Sequence, residues 1–212
     1  MNKNKKQTKH KIPDALQDIE AWELNRRKFL KGALLAGAMT QIGFFMSCTP
    51  ELKKGNDILS AEQATILDDI LLILFPNDGN GPSANDINAF GYIMWVLHDE
   101  LNRQPEDNEY IIEGLDWMNE QSESFFEKKF VELQPKEKEE LVAEIVQLKW
   151  GKNWTSMMIT LLYEALLLDP IYGGNTNEVG WKWLNHVPGY PRPTEELRYE
   201  RIMEKQMKIK QT

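Results

Sequence analysis

The stretch Met157-Met158-Ile159-Thr160-Leu161-Leu162, within a helical run from about Thr155 to Leu168, is apolar nearly all the way round. A helix of that kind cannot lie on a wet surface, so other apolar faces must enclose it. It is too short for a bilayer span, which takes about 20 apolar residues, and it carries Glu164. The fold it demands is a bundle with this segment at the centre.

Neighbouring segments supply the faces. Ser60 and Gln63 have the spacing of a capping box, and Ile66, Leu67, Ile70, Leu71, Ile73 and Leu74 follow at helical spacing before Pro76. A second helix is expected from near Asn85 to Leu101, with Ile87, Phe90, Ile93, Met94 and Leu97 on one side. Pro105 opens a third, carrying Ile111, Ile112, Leu115 and Met118 and ending near Ser122, and Phe125, Phe126, Phe130 and Leu133 give a shorter apolar segment. Pro135 suits the first turn of a fourth, whose Lys136–Glu140 charge run reads as a solvated face. No stretch alternates as a strand would, and there is no internal repeat. The expected fold is all-α: a compact irregular helical bundle over residues 60–193 with a long ordered C-terminal loop. The charged tail, residues 194–212, is expected to be helical, with Leu197, Tyr199, Ile202 and Met203 available to pack.

Residues 1–47 are of a different kind. Asn25-Arg26-Arg27-Lys28-Phe29-Leu30-Lys31 precedes a modest apolar run from Gly32 to Met46, then Ser47-Cys48. The paired arginines, followed by Phe29, Leu30 and a run containing Thr40, Gln41 and three glycines, resemble a twin-arginine export signal. The order of basic region, apolar region and small residue is that of a signal peptide. The alternative is an amphipathic first helix of the mature protein. Cys48 is the only cysteine and can form no internal disulfide. Its place directly after the apolar run points to lipid attachment after cleavage between Ser47 and Cys48, with an unmodified thiol as the alternative. Acyl chains would anchor the chain to the membrane at about 0.8 kcal/mol per buried methylene. Residues 48–59 then form a linker, and the expected location is the periplasmic side of the cell envelope.

Residues 1–47 hold nine of the 25 basic and four of the 33 acidic residues, so the remainder carries a net charge of −13. Such a surface repels phosphate backbones and argues against nucleic-acid binding.

After the apolar helix come Asp169-Pro170-Ile171-Tyr172-Gly173-Gly174-Asn175, then Gly180-Trp181, then Pro188-Gly189-Tyr190. Pro170 disfavours helix at Asp169, the glycines permit positive φ and close backbone approach, and Asn175 can hold a turn with its side chain. Ordered loops of about twenty residues are uncommon unless functional. In these residues, in the Leu59-Ser60-Ala61-Glu62 start and in the Phe75-Pro76 helix end, the chain resembles the small subunit (subunit 3) of gluconate 2-dehydrogenase from about Leu59 to Tyr190. Phe75 departs from the aliphatic residue more usual there. The resemblance implies a non-catalytic partner of a large flavoprotein of the glucose-methanol-choline type. That subunit binds FAD, oxidises a sugar, sugar acid or polyol, and passes electrons to a cytochrome c or quinone. It also implies that the small subunit can carry the export signal for both chains.

A search for chemistry in the chain itself agrees with a non-catalytic role. Beyond residue 47 there are two histidines, His98 on a helix beside Asp99 and Glu100, and His186 in the loop. No His-Glu-x-x-His, Cys-x-x-Cys or Cys-x-x-Cys-His spacing is present, so neither metal nor haem attachment is indicated. Asp78-Gly79-Asn80 lacks the spaced carboxylates of a calcium loop and reads as a turn. Gly173-Gly174 follows no strand and makes no dinucleotide cradle. Asp68-Asp69 and Asp99-Glu100 point to different sides of their helices. Catalytic, cofactor and metal residues are therefore expected to be absent. Tyr172, Trp181 and Tyr190 are the candidate partner contacts, since such side chains often carry interface energy; for Asp169 and Asn175 the equal alternative is a bracing role within the loop. A second reading is a stand-alone exported helical lipoprotein acting as a ligand-binding or scaffold module.

Overall fold

A computed structural model of the chain describes residues 52–99 and 105–210. The export-signal residues Arg26, Arg27, Phe29 and Leu30, and Cys48, lie outside the described residues. Among the described residues every regular element is helical. The α-helices are α1 (Ala61–Leu74), α2 (Ala89–Leu97), α3 (Pro105–Phe126), α4 (Pro135–Ile145), α5 (Lys149–Leu167), α6 (Val179–Trp183) and α7 (Tyr199–Lys210). Short 3₁₀ turns lie at Phe130–Glu132, Pro170–Tyr172, Thr176–Glu178 and Glu195–Leu197. The all-α expectation is met.

Helix α1 starts where its capping box predicts. Ser60 Oγ accepts the Gln63 N–H at 3.1 Å and Gln63 Oε1 accepts the Ser60 N–H at 3.0 Å, satisfying donors that the first turn leaves free. Its buried face, Ile66, Leu67, Ile70 and Leu71, shares one core with Ile87 just before α2, Ile93 of α2, Ile111, Leu115 and Met118 of α3, and Met158, Leu161 and Ala165 of α5. Each fully buried aliphatic side chain contributes about 1.5–3 kcal/mol. Asp68 and Asp69 point apart, as expected of neighbours on a helix. Asp68 pairs with Lys53 at 2.9 Å and Asp69 with Lys138 of α4 at 2.7 Å. Residues 52–59, the described part of the expected linker, are mostly exposed but are tied to the fold at a few points. The Lys53 N–H donates to Thr65 Oγ1 at 2.9 Å, its ammonium lies over the Phe90 ring, and Leu59 is buried.

Three elements differ from the sequence reading. Helix α2 begins at Ala89, not Asn85. The Asp86 carboxylate turns back to accept both the backbone N–H and the hydroxyl of Ser83, and Asn88 sits left-handed at φ 52°, so the chain cannot enter a helix sooner. Helix α3 continues past Ser122 to Phe126 and stops where Glu127 turns left-handed at φ 55°. Helix α5 begins at Lys149, so Gly151 lies inside it. A Cβ there would stand 2.2 Å from the Ile145 carbonyl oxygen, and glycine is what lets α5 start against the end of α4.

Helix α5 is also not enclosed on every side. Lys152, Ser156, Thr160, Tyr163 and Leu167 form an exposed stripe along it. The polar members of that stripe recur at helical spacing inside the apolar run, which gives α5 a wet edge. Trp150 and Trp154, separated by Gly151, stand one turn apart on this single helix. The Trp154 indole is buried and donates to the Ile111 carbonyl at 3.1 Å, while Trp150 packs edge-on to Trp117 at 5.2 Å.

Candidate functional site

The last carbonyls of a helix have no intrahelical partner, and at the end of α5 side chains from the following segment take them. The Trp181 indole N–H donates to the Leu167 carbonyl at 2.7 Å, and the Asn175 amide donates to the Leu168 carbonyl at 3.1 Å. Asn175 is wholly buried and left-handed at φ 46°. Its other side-chain atom, Oδ1, accepts the Gly180 N–H at 2.8 Å and so fixes the first turn of α6. Both ends of this one amide are satisfied inside the chain.

The glycines serve close packing. A Cβ on Gly174 would lie 2.6 Å from the Ala165 carbonyl oxygen, and one on Gly180 would lie 2.3 Å from that of Leu166. Gly173 takes φ 91°, which glycine adopts without a steric cost. Its carbonyl accepts the Asn88 amide at 2.8 Å, tying the turn to the start of α2. Gly173 and Gly174 therefore face helices of this chain, leaving no backbone cradle for a phosphate.

Asp169 caps the Pro170–Tyr172 turn by accepting the Ile171 N–H at 3.1 Å, and its second oxygen accepts Arg192 Nε at 2.8 Å. Arg192 also donates to Glu178 and lies over the Trp181 ring at 4.9 Å. The hydrogen bonds to Asp169 and then to Glu178 raise the guanidinium pKa further above its already high value. Pro170 and Tyr172 are half-buried. Tyr172 packs on Trp95 at 5.2 Å and on Tyr199 at 5.8 Å, and burial, followed by the nearby carboxylates of Glu200 and Asp169, pushes its phenol up.

Asp169, Pro170, Tyr172, Gly173, Gly174, Asn175, Gly180 and Trp181 thus form one structural brace at the end of α5. Trp181 is only 5 % exposed, so its surface is used inside the chain. Pro188, Gly189 and Tyr190 stand apart from it. Nothing lies within 4 Å of a Cβ placed on Gly189, and Tyr190 is 85 % and its neighbour Val187 81 % exposed. The segment from Asp169 to Tyr190 is not a plain loop: it carries two 3₁₀ turns and α6.

No convergent acid–base pair arises here, because the Asp169 oxygens and the Asn175 amide are occupied by structural partners. His186 is exposed with its ring edge on Trp181, and His98 ends α2 with Nδ1 2.7 Å from the Met94 carbonyl. Asp78 accepts the Asn80 N–H at 2.9 Å, as a plain turn requires, and that bond lowers its pKa. Among the described residues no three potential ligand side chains group for a metal, and no helix is long and apolar enough to cross a membrane. A cleft of about 240 Å³ beside α1 and α3 is lined by Ser60, Glu62, Gln63, Ile66, Asp116, Asn119 and Glu120. It is smaller than the usual small-molecule pocket of about 300–1,000 Å³, and its three carboxylates would repel a dinucleotide diphosphate.

The brace is the part of the chain that resembled a known family, and comparison bears this out. A family model described as gluconate 2-dehydrogenase subunit 3 matches residues 61–189. The chain belongs to the gluconate 2-dehydrogenase subunit 3 family. No curated protein and no solved structure matches it. The family's span runs from the first residue of α1 through the whole brace to Gly189, and leaves Tyr190, Arg192 and α7 outside. The family is that of a dehydrogenase subunit, so a place in a dehydrogenase complex follows from membership.

Several residues that build the site carried no signal in the sequence. Arg192 sits 23 positions from Asp169, and only its setting between Pro191 and Pro193, just after the motif, marks it. Asn88, Trp95 and Tyr199 reach the brace from other elements, and no local pattern pairs them with it.

Proposed function

We propose that this chain is the non-catalytic small subunit of a membrane-associated, FAD-dependent dehydrogenase of the glucose-methanol-choline type, which oxidises a sugar, sugar acid or polyol. It assists folding of the catalytic flavoprotein, carries it through the twin-arginine route by the signal around Arg26-Arg27, and tethers it on the periplasmic side through a lipid on Cys48. A cytochrome c subunit completes the electron path. The observation that carries the reading is the family match over residues 61–189 with the Asp169–Asn175 brace intact.

The geometry supports a partner's role. The glycines face the chain's own helices, and the polar groups of the motif are paired internally, which fits a reading in which the large subunit holds FAD. Tyr190 and Val187 are the contacts offered to that subunit. The brace holds their loop at its base, through the His186 N–H to the Trp181 carbonyl at 2.8 Å and through Arg192 to Asp169. Tyr172 and Trp181 act behind them as packing. An anchored tip loses little freedom on binding, which favours affinity.

The test is a strain lacking this chain. The catalytic subunit is expected to stay in the cytoplasm or lack FAD, and restoring the chain should return both. A flavoprotein that matures and reaches the periplasm normally without it overturns the proposal.

A further inference from the structure

The loop after α1, Asn77-Asp78-Gly79-Asn80-Gly81-Pro82, holds the chain's one Asn-Gly pair. That pair is clasped to α6. The Trp183 indole N–H donates to the Asn80 carbonyl at 3.0 Å, across 103 positions. A Cβ on Gly81 would stand 2.6 Å from Cε2 of the Trp183 ring, so the Gly81 backbone lies hard against the indole. The clasp uses the carbonyl of Asn80 and the backbone of Gly81, and leaves other groups of the pair open. Asn80 is exposed. Among the described residues no hydrogen bond holds the Gly81 N–H.

We infer that Asn80 is a modification site: in the folded chain it converts spontaneously to isoaspartate and aspartate, and the conversion opens the clasp on Trp183. The Gly81 nitrogen gives its proton to water or hydroxide and bonds to the Asn80 Cγ. The Cγ–Nδ2 bond breaks, ammonia leaves, and a five-membered succinimide remains. With no Cβ, Gly81 places no side chain in the way of its own nitrogen. Trp183 favours the step. Charge on the attacking amide spreads onto the carbonyl oxygen that the indole N–H already reaches, and a donor to a charged oxygen bonds more strongly than to a neutral one. Water then opens the ring. Attack at Cγ restores the main chain with an aspartate, whereas attack at the Asn80 carbonyl carbon leaves isoaspartate, with the main chain running through the former side chain. Water is consumed, ammonia is released, and no oxidant or reductant is needed.

The neighbouring Asp78-Gly79 pair does not compete. The Asn80 backbone N–H is the largest of the effects that hold the Asp78 carboxyl below its ordinary value, and an ionised carboxylate has no good leaving group. Isoaspartate lengthens the main chain between residues 80 and 81 by one carbon and adds a carboxylate near Asp78. Gly81 has no room to move toward Trp183, so the lengthened link must lift from the ring. The inference concerns this chain alone and stands whether or not the proposed function does.

The test holds the full chain, folded, in mildly alkaline buffer. Samples are read by tandem mass spectrometry and by methylation with an isoaspartate-specific methyltransferase. A gain of one mass unit is expected at residue 80, with a methylatable product. Hydrogen exchange in residues 77–82 and 179–183 should rise in step with it. Asn80→Gln keeps the amide but would need a six-membered ring, and should lose both the gain and the methylation. Trp183→Phe removes the indole N–H and should slow the gain. A folded chain that keeps its amide at residue 80 would overturn the inference. So would conversion confined to the urea-unfolded chain, or conversion no faster at Asn80 than at Asn77 or Asn85. A faster gain in Trp183→Phe would make the indole a restraint, and unchanged exchange in the converted chain would leave the clasp closed; either result contradicts the account.

Discussion

Asn175 and Gly180 are joined by a 2.8 Å hydrogen bond in which the buried side-chain oxygen of one accepts the backbone N–H of the other. The same amide donates to Leu168, so one side chain closes the end of α5 and opens α6. Asn175→Ala leaves a buried donor and a buried acceptor unpaired, at an expected cost of about 2–4 kcal/mol. For a domain of this size each kcal/mol lowers Tm by about 2–4 °C. Thermal unfolding should show a large drop for Ala and also for Gly, which keeps the backbone angle but not the bonds. A drop for Ala alone would assign the effect to backbone strain instead.

The glycines of the motif should separate sharply. Gly174→Ala and Gly180→Ala each drive a Cβ to within 2.6 Å of helix α5 backbone, which cannot move aside, and should cost about 2–3 kcal/mol or more. Gly189→Ala meets nothing within 4 Å and should leave the denaturant midpoint within about 0.5 kcal/mol of wild type.

Tyr172 links the brace to the C-terminal helix. Tyr172→Ala removes a ring that packs on both Trp95 and Tyr199. Hydrogen exchange should rise most in residues 199–210 and less in α1 and α3, because the rings that Tyr172 packs on, Trp95 and Tyr199, belong to α2 and α7.

Stability should fall in acid. The Gln134 N–H, at 2.7 Å, and more weakly Lys128 hold the Glu137 carboxyl below its ordinary value. The Ser83 hydroxyl and then its backbone N–H do the same for Asp86. A carboxylate depressed in the folded state contributes stability that is present above its unfolded pKa and lost as pH falls through the folded one. The loss should therefore begin below about pH 4.5 and deepen downward. Glu137→Gln keeps the capping geometry without the charge, and in urea titrations between about pH 5 and 2.5 it should show a shallower acid slope than wild type.

Much of the fold could be read before any coordinates. Ser60 with Gln63 marked the start of α1, and Pro135 that of α4, because helix ends are set by local chemistry. The apolar rows of α1 and α3 named the core for the same reason. The boundaries that differ are set by side-chain and backbone contacts that hydrophobic periodicity does not encode. Asp86 folding back on Ser83 delayed α2, and Gly151 lay inside α5 because Ile145 approaches it. The Asp169–Asn175 motif was legible as a unit, and Asn175 as a brace, yet its completion by Arg192 and Asn88 depends on contacts across 23 and 85 positions. The wholly buried Asn175 and 85 % exposed Tyr190 could not be told apart by residue type, since both sit in the same turn-rich stretch.

Under the proposed function this chain is one subunit of a flavoprotein complex. A tagged full-length chain, captured from its native envelope, should bring down a larger chain in stoichiometric amount with the visible absorbance of bound flavin. Tyr190→Ala should weaken that capture while leaving the fold intact. A colourless chain recovered alone would contradict the account and leave a stand-alone helical lipoprotein in its place.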